Sequence, residues 1–380
     1  MKIVLPEKVT YIIDTLTQHG FEAYAVGGCV RDTMLGRIPM DWDITTSAKP
    51  EQVKELFRHT IDTGIQHGTV TVMLEHEGFE VTTYRIDGEY EDARHPKEVQ
   101  FTSNLLEDLK RRDFTINAMA MDESGAITDL FGGRDDLTRH VIRCVGDPET
   151  RFREDALRML RAYRFAAQLG FSLDEQTQAA IRRCAPLCAT LSRERVREEA
   201  EKALLSDQPE YFGRMLAEGL LEACMQAETA DFSGLSALPK TPEARWTAAK
   251  LCCPALDPAL FRLPAKFCRL VDLTAQTWRE DRTGAEWKRL IAEHGWETAR
   301  LQASLQRTDA VRQIETRGDC VTLRQLAVTG ADFPTLCGRD VGRMLHLLLV
   351  YALDHPEQNT KPQLLAAAPS LWQEENKIQG

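Results

Sequence analysis

Two aspartates flank a tryptophan at Asp41-Trp42-Asp43, and a glycine pair, Gly27-Gly28, precedes them with Arg31-Asp32 close behind it. In an extended segment alternate side chains share a face, so the carboxylates of Asp41 and Asp43 would point the same way. A glycine pair at a strand-to-helix turn lets backbone N–H groups approach a phosphate, because no side chain stands between them. Two carboxylates beside such a turn could hold a divalent cation against a triphosphate. Each motif alone is common, Gly-Gly as a plain turn and Asp-x-Asp as a solvated strand end, and it is their pairing that carries information.

The surrounding residues supply the elements that would position these groups. Residues 21–26 are aromatic and apolar and read as a strand, while Val30, Met34 and Leu35 fall at helical spacing after the glycines. A helix is expected over 9–16. Residues 69–74 alternate as a strand, with 78–85 as its hairpin partner across Glu75-His76-Glu77. The polar stretch 85–96 reads as a mobile loop. Residues 104–120 return to a helical pattern carrying Arg111-Arg112-Asp113, and 126–136 read as a strand entering a Gly-Gly turn. Mixed signals of this kind indicate an α+β domain.

From Glu149 onward strand signals fade. Residues 152–169 predict one strong amphipathic helix, closed by Gly170, with Ser172 to Glu175 resembling a capping box for the next. A further charged helical region covers 182–202. Between Arg151 and Lys202 eleven Lys/Arg face eight Asp/Glu, a local cationic excess in a chain of net charge −11. It reads either as a solvated helix face or as a surface for phosphates. Later helices are expected over 209–225, 243–253, 264–278, 285–307 and 344–353, with 227–242 as a boundary. A Gly turn entering a helix at 338–342 could dock one backbone phosphate or serve as a plain connection.

Length and composition bound the function. The 380 residues allow two or three domains, and 43% hydrophobic with 28% charged residues is ordinary for a soluble globular protein. The acidic total argues against uniform polyanion binding but not against a local basic face. Ten cysteines include no Cys-x-x-Cys, so incidental thiols fit better than a metal site, and the nine histidines form no metal-ligand set. The N-terminal residues do not form a signal peptide, and the longest apolar run, 344–353, is too short to span a bilayer. A cytoplasmic protein with no membrane association is expected, and no protein partner is indicated.

Five motifs then occur in order: Gly-Gly-x-x-Arg-Asp, Asp-x-Asp, RRDFTINA (111–118), DLFGGRDDL (129–137) and REDALR (153–158). A sixth, LSRERVREE, covers 191–199. Together they resemble the class II tRNA nucleotidyltransferases, the bacterial CCA-adding enzymes of the poly(A) polymerase superfamily. The resemblance implies an N-terminal nucleotidyltransferase head with a mixed β-sheet, followed by all-α neck, body and tail that hold tRNA. The expected boundaries are 1–145 for the head, 146–205 for the neck, 206–285 for the body and 286–380 for the tail. It also implies Asp41 and Asp43 as catalytic ligands of Mg²⁺. Gly28, Arg31, Arg112, Asp155, Arg158, Arg161 and Arg164 fall at nucleotide-binding positions, with CTP and ATP as substrates. The resemblance further implies that complete enzymes carry a flexible loop near 85–96, whose presence would favour full CCA addition over CC-only or A-only activity. A poly(A) polymerase and an RNA-binding protein with an inactive head are the alternatives.

Physical chemistry gives these positions distinct tasks. Arg31 and Arg112 could bind triphosphate oxygens as bidentate donors, or form surface ion pairs. Glu80 could add a third carboxylate or stay a cross-strand residue. On one helix, Asp155 and Arg158 would lie about 60° apart in projection. A carboxylate only accepts hydrogen bonds and a guanidinium only donates them. Cytosine and adenine present an amino donor beside a ring-nitrogen acceptor, whereas uracil and guanine present the reverse. An Asp/Arg pair on that edge would accept C and A and reject U and G without a template. The bland reading is a surface ion pair worth about half a kcal/mol. Arg164, about 180° from Asp155 on the same helix, is the weakest nucleotide contact. It could instead meet phosphate, tRNA or a neck carboxylate.

Overall fold

The computed structural model describes residues 4–87, 99–225 and 230–378. It divides into two compact units, Met1–Ser236 and Ala237–Gly380, and the division falls inside the 227–242 stretch.

The first unit opens with α1 (Glu7–Gln18), whose Val9, Ile12, Ile13 and Leu16 form one buried stripe, as a period of about 3.6 residues requires. There follow β1 (Ala23–Val26), α2 (Gly28–Met34), β2 (Asp43–Thr46), α3 (Pro50–Leu56), β3 (Thr60–Gly64), β4 (Thr69–Leu74) and β5 (Glu77–Thr83). A short ribbon of β6 (Arg85–Asp87) and β7 (Val99–Phe101) precedes α4 (Leu105–Lys110), β8 (Met119–Met121) and β9 (Ile127–Asp129). The main sheet runs β3-β4-β5-β2-β1-β8-β9. It is mixed, with β2 and β5 parallel and the other neighbours antiparallel.

The register of this sheet assembles the site. Val26 pairs with Asp43, so the glycine turn leaving β1 lies beside the residues that enter β2. Ile44 pairs with Val81 in the parallel neighbour, which brings Glu80 alongside Asp43. Val70, Val72, Phe79 and Val81 are buried on alternating positions of β4 and β5.

Several local expectations change. Leu74 pairs with Glu77, so the hairpin turn is the two residues Glu75-His76 rather than three. Both have positive φ, 48° and 69°, the backbone twist that a two-residue hairpin loop demands. Of the loop expected over 85–96, Arg85 to Asp87 belong to β6, and 88–96 lie outside the described residues. The helix expected over 104–120 stops at Lys110. Asp113 there accepts the Phe114 N–H and the Asn117 amide, side-chain bonds that compete with a helix. Met119 to Met121 are all buried as β8.

Beyond α5 (Gly133–Arg139) and β10 (Val141–Ile142) come α6 (Pro148–Glu154) and α7 (Leu157–Leu169). The single helix predicted over 152–169 is therefore two, and the break is at Asp155, with φ −143° and ψ 105°. Its carboxylate accepts the Leu157 N–H at 3.0 Å, so the side chain caps α7 instead of continuing α6. Gly170 closes α7 in the left-handed conformation as expected. A two-residue β11 (Ser172–Leu173) pairs in parallel with β10, and Asp174, not Ser172, caps α8 (Glu175–Cys184). Helices α9 (Arg193–Leu204) and α10 (Glu210–Ala217) complete the regular elements of this unit.

The second unit is helical: α11 (Pro242–Cys252), α12 (Ala265–Gln276), α13 (Gly284–Gln306), α14 (Ala310–Arg317), α15 (Arg339–Asp354) and α16 (Lys361–Ile378). Gly295, at φ 84°, kinks α13. A core of Trp287, Ile291, Ile314, Leu348 and Leu349 holds the later helices together. Among the described residues no helix is long and apolar enough to cross a membrane. Eight of the ten cysteines are buried, and Cys252 and Cys337 are exposed.

Candidate active site

A cavity of about 540 Å³ in the first unit gathers residues from the glycine turn, the Asp-x-Asp segment, the Arg111–Asn117 stretch, α7 and α9. It is lined by eight of the nine residues singled out in the sequence: Gly28, Arg31, Asp41, Asp43, Arg112, Asp155, Arg158 and Arg161. Arg164 is the exception.

At one end sit the carboxylates. Asp43 keeps solvent access, yet the protein packed about its carboxyl pushes it up to about 6, with Asp41 and Glu80 adding repulsion and Arg112 opposing them. Like charges gathered on one side disfavour ionisation, so this end has an unmet demand for positive charge. Gly27, at φ 80°, makes room beside it. A Cβ at Gly27 would come within 3.2 Å of Arg112 Nη1 and 4.0 Å of Asp43 Oδ2. The glycine is thus required by its backbone angle and by the approach of Arg112.

Arg112 is aimed by a buried carboxylate that the sequence did not advertise. Asp108 on α4 is fully buried and accepts Arg112 Nη2 at 3.2 Å, Arg111 Nε at 2.9 Å and the Thr45 hydroxyl at 3.1 Å. Burial alone would raise its carboxyl, but Arg111 and Arg112 outweigh that and hold it below the usual carboxylate range. Arg112 Nε is buried and has no hydrogen-bond partner among the described residues, a donor still open to an anion. Arg31 is buried too, gripping Asp32 through Nε and Nη2 and donating Nη1 to Asn117 Oδ1 at 2.8 Å.

At the other end the polar groups already hold one another. Asp155 accepts Arg195 Nη2 at 3.0 and 3.3 Å. Arg158 donates to Glu154 at 2.6 Å and to the carbonyls of Arg151 and Arg111. Asp155 and Arg158 therefore do not sit on one continuous helix. Their side chains reach the cavity from either side of the α6–α7 break, each fixed by its own partner. Arg161 grips Asp113 Oδ2 through Nε at 2.8 Å and Nη2 at 2.6 Å. Asp113 is buried, which would raise it, but Arg161 and Asn117 prevail and hold it down to about 2.

Arg164 turns away. It pairs with the neck carboxylate Glu199 at 2.6 Å and lies 3.9 Å from the Phe165 ring centroid. Burial lowers its pKa against the pull of Glu199. Much of the cationic excess over 151–202 is engaged in ion pairs within the chain, through Arg151–Glu154, Arg158–Glu154 and Arg195–Asp155, and at the surface through Arg183–Glu149 and Arg182–Glu218.

Six arginines and four aspartates line the cavity, and two of the aspartates, Asp113 and Asp155, are matched by Arg161 and Arg195. The remaining balance suits a polyanion whose far end meets the Asp41/Asp43 pair. Among the described residues no cluster of three or more metal-type side chains occurs, so any ion here would complete its shell from elsewhere. Of the lining groups, Arg111, Asp113, Asn117, Phe165 and Arg195 had no assigned role in the sequence. The signal that could have found them is motif membership: Arg111, Asp113 and Asn117 lie in RRDFTINA and Arg195 in LSRERVREE, whereas Phe165 lies in neither.

Comparison with known proteins places this geometry. Residues 23–143 match the poly A polymerase head domain, and residues 170–227 match a model described as "Probable RNA and SrmB- binding site of polymerase A". The CCA-adding enzyme of Lactobacillus helveticus is 52% identical over 227 residues, 60% of this chain and 56% of that protein. The Geobacillus kaustophilus CCA-adding enzyme is 56% identical over 198 residues, 52% of this chain and 49% of the relative. The chain thus spans about half the length of the curated relatives it matches. The crystal structure of the Bacillus stearothermophilus CCA-adding enzyme in complex with CTP superimposes with a TM-score of 0.77 at 32% identity, covering 97% of this chain and 98% of that one. On that likeness over both chains, with the head-domain match beneath it, the chain belongs to the CCA-adding enzyme family.

Proposed function

We propose that the cavity transfers nucleotides without a template, adding C, C and A to the 3′ end of tRNA from CTP and ATP. The observation that carries this reading is the two-ended cavity: unsatisfied carboxylates at Asp41/Asp43, and a braced Asp155/Arg158 pair at the other end. The relative from Bacillus stearothermophilus was solved with CTP, which supports the substrate class.

In the reaction the tRNA 3′ oxygen attacks the α-phosphorus and one P–O bond forms. The α–β bond breaks, pyrophosphate leaves with the electron pair, and the hydroxyl proton passes to solvent. Asp41 and Asp43 would hold Mg²⁺. The fit rests on hard oxygen donors and on the raised carboxyl of Asp43, and a two-carboxylate set suits an ion that keeps waters and takes phosphate oxygens. When bound, that ion supplies charge neutralisation of the pyrophosphate and a lower pKa for the attacking hydroxyl. Arg31 and Arg112 orient the triphosphate beside the Gly27-Gly28 backbone. Asp155 accepts the amino group of C or A, and Arg158 donates to the ring nitrogen. With U or G, acceptor would face acceptor and donor would face donor, which is costly in a water-poor site.

Residues 1–145 and 146–205 then act as head and base-reading neck, while 206–285 and 286–380 serve as body and tail that carry the tRNA in the cytoplasm. The test is incubation with Mg²⁺ and tRNA lacking its 3′ CCA, with CTP alone, ATP alone and both, followed by sequencing of the ends. CCA ends with both nucleotides are expected. Runs of A would instead favour poly(A) synthesis, to which the head-domain match also points. CC or A alone would indicate a partial enzyme, and no extension would overturn the reading in favour of an RNA-binding protein.

A further inference from the structure

We propose that Asn117 is a positioning residue that couples the phosphate end of the cavity to its base-reading end; this deepens the function proposed above and rests on it. Asn117 is buried and lies between two groups with opposite needs. Arg31 donates Nη1 to Asn117 Oδ1 at 2.8 Å, and Asn117 Nδ2 donates to Asp113 Oδ1 at 3.1 Å. The second oxygen of Asp113 takes both bonds from Arg161 of α7. The chain Arg31–Asn117–Asp113–Arg161 therefore runs unbroken from the helix that follows the glycine turn to the helix that carries Arg158.

Chemistry limits what can stand at its centre. Arginine only donates and carboxylate only accepts, so the bridging group must offer one acceptor and one donor, as a side-chain amide does. An aspartate would keep the acceptor and lose the donor, and a leucine would lose both. The orientation of the amide is fixed by the same partners.

The backbone beneath this amide is clamped. Asn117 N–H closes a tight turn onto the Phe114 carbonyl. The Thr115 hydroxyl is held by Asp136 at 2.5 Å, and a Cβ on Gly133 of α5 would come within 2.3 Å of the Thr115 carbonyl oxygen. With the backbone held, a shift of Arg31 is passed on by the side chains. A polyphosphate that draws Arg31 changes the bond to Asn117, hence the hold on Asp113, hence the placement of Arg161 one helical turn from Arg158. The Phe165 ring, 5.1 Å from the Arg31 guanidinium and 5.3 Å from that of Arg161, touches the same two residues.

Titration calorimetry in a magnesium-containing buffer tests this with two fragments, inorganic pyrophosphate and cytidine, each measured alone and with the other saturating. In the native protein each should tighten the other by about five-fold or more, and the factor must be the same in both directions. In Asn117→Leu and Asn117→Asp the factor should fall to about one, while melting temperatures report that each variant is folded. If one variant fails to fold, the other carries the test. An absence of coupling in the native protein, or undiminished coupling in a folded variant, overturns the proposal. No tRNA and no transfer enter the measurement. A protein that couples the fragments but leaves tRNA unextended loses the function proposed above and keeps this bridge; one that extends tRNA without coupling does the reverse.

Discussion

The two ends of the cavity are built on opposite principles. At Asp41/Asp43 charge is left uncompensated: burial of the Asp43 carboxyl, with repulsion from Asp41 and Glu80 added and Arg112 opposing, raises it to about 6. At the neck, charge is compensated before any ligand arrives, through Arg195–Asp155, Glu154–Arg158 and Asp113–Arg161. A site that must take up a cation with its substrate gains by being strained in the empty state. A site that must discriminate donors from acceptors gains by holding them still, because a loose pair would adapt to the wrong base.

The largest expected effect comes from breaking the uncompensated end. Asp43→Asn or Asp41→Asn should cut nucleotide transfer by roughly a thousand-fold, several kcal/mol of lost transition-state stabilisation, while tRNA affinity stays near native. Single-turnover extension and filter binding measure the two separately. Native-like extension by the double variant would refute the assignment.

A smaller and different effect should follow at the compensated end. Arg195→Ala removes the ion pair that holds Asp155, and Glu154→Gln weakens one of the bonds that hold Arg158. Discrimination of CTP and ATP against UTP and GTP should then fall by about ten- to a hundred-fold, with less change in the rate for CTP itself. Competition assays with mixed nucleotides read this directly, and an unchanged ratio would assign the braces to stability alone.

The smallest effect separates structure from chemistry. Because the folded Asp113 carboxyl is held at about 2, its contribution is fully present above its unfolded value near 4 and is lost as pH falls from there through about 2. That contribution is on the order of 2 kcal/mol. Asp113→Asn should therefore lower the melting temperature at neutral pH and flatten its decline over this acid range. A decline as steep as the native one would mean that Asp113 is not the titrating group.

Much of this organisation can be read from spacing. Asp41, Asp43 and the glycine turn are local motifs, and β1 announces itself by an apolar run. What spacing could not convey are partners remote in the chain: Asn117 is 86 residues from Arg31, and Arg195 is 40 from Asp155. The same remoteness explains the misread helix. The apolar stripe of 152–169 runs through Asp155 without a flaw, and only the capping bond to Leu157 and the grip of Arg195 show why the helix stops there. The strand Met119–Met121 was hidden for a similar reason, since three buried residues carry no alternation.

The break at Asp155 has a consequence for how such a site can change over generations. Within an unbroken helix, residues three apart are locked at about 5–6 Å between their Cβ atoms, and no mutation elsewhere alters that distance much. Across a joint the separation is set by ties to distant residues such as Arg195 and Arg111. The selectivity proposed for this pair is thereby exposed to drift at positions remote from it in the chain. It can be retuned in small steps while Asp155 and Arg158 themselves remain untouched.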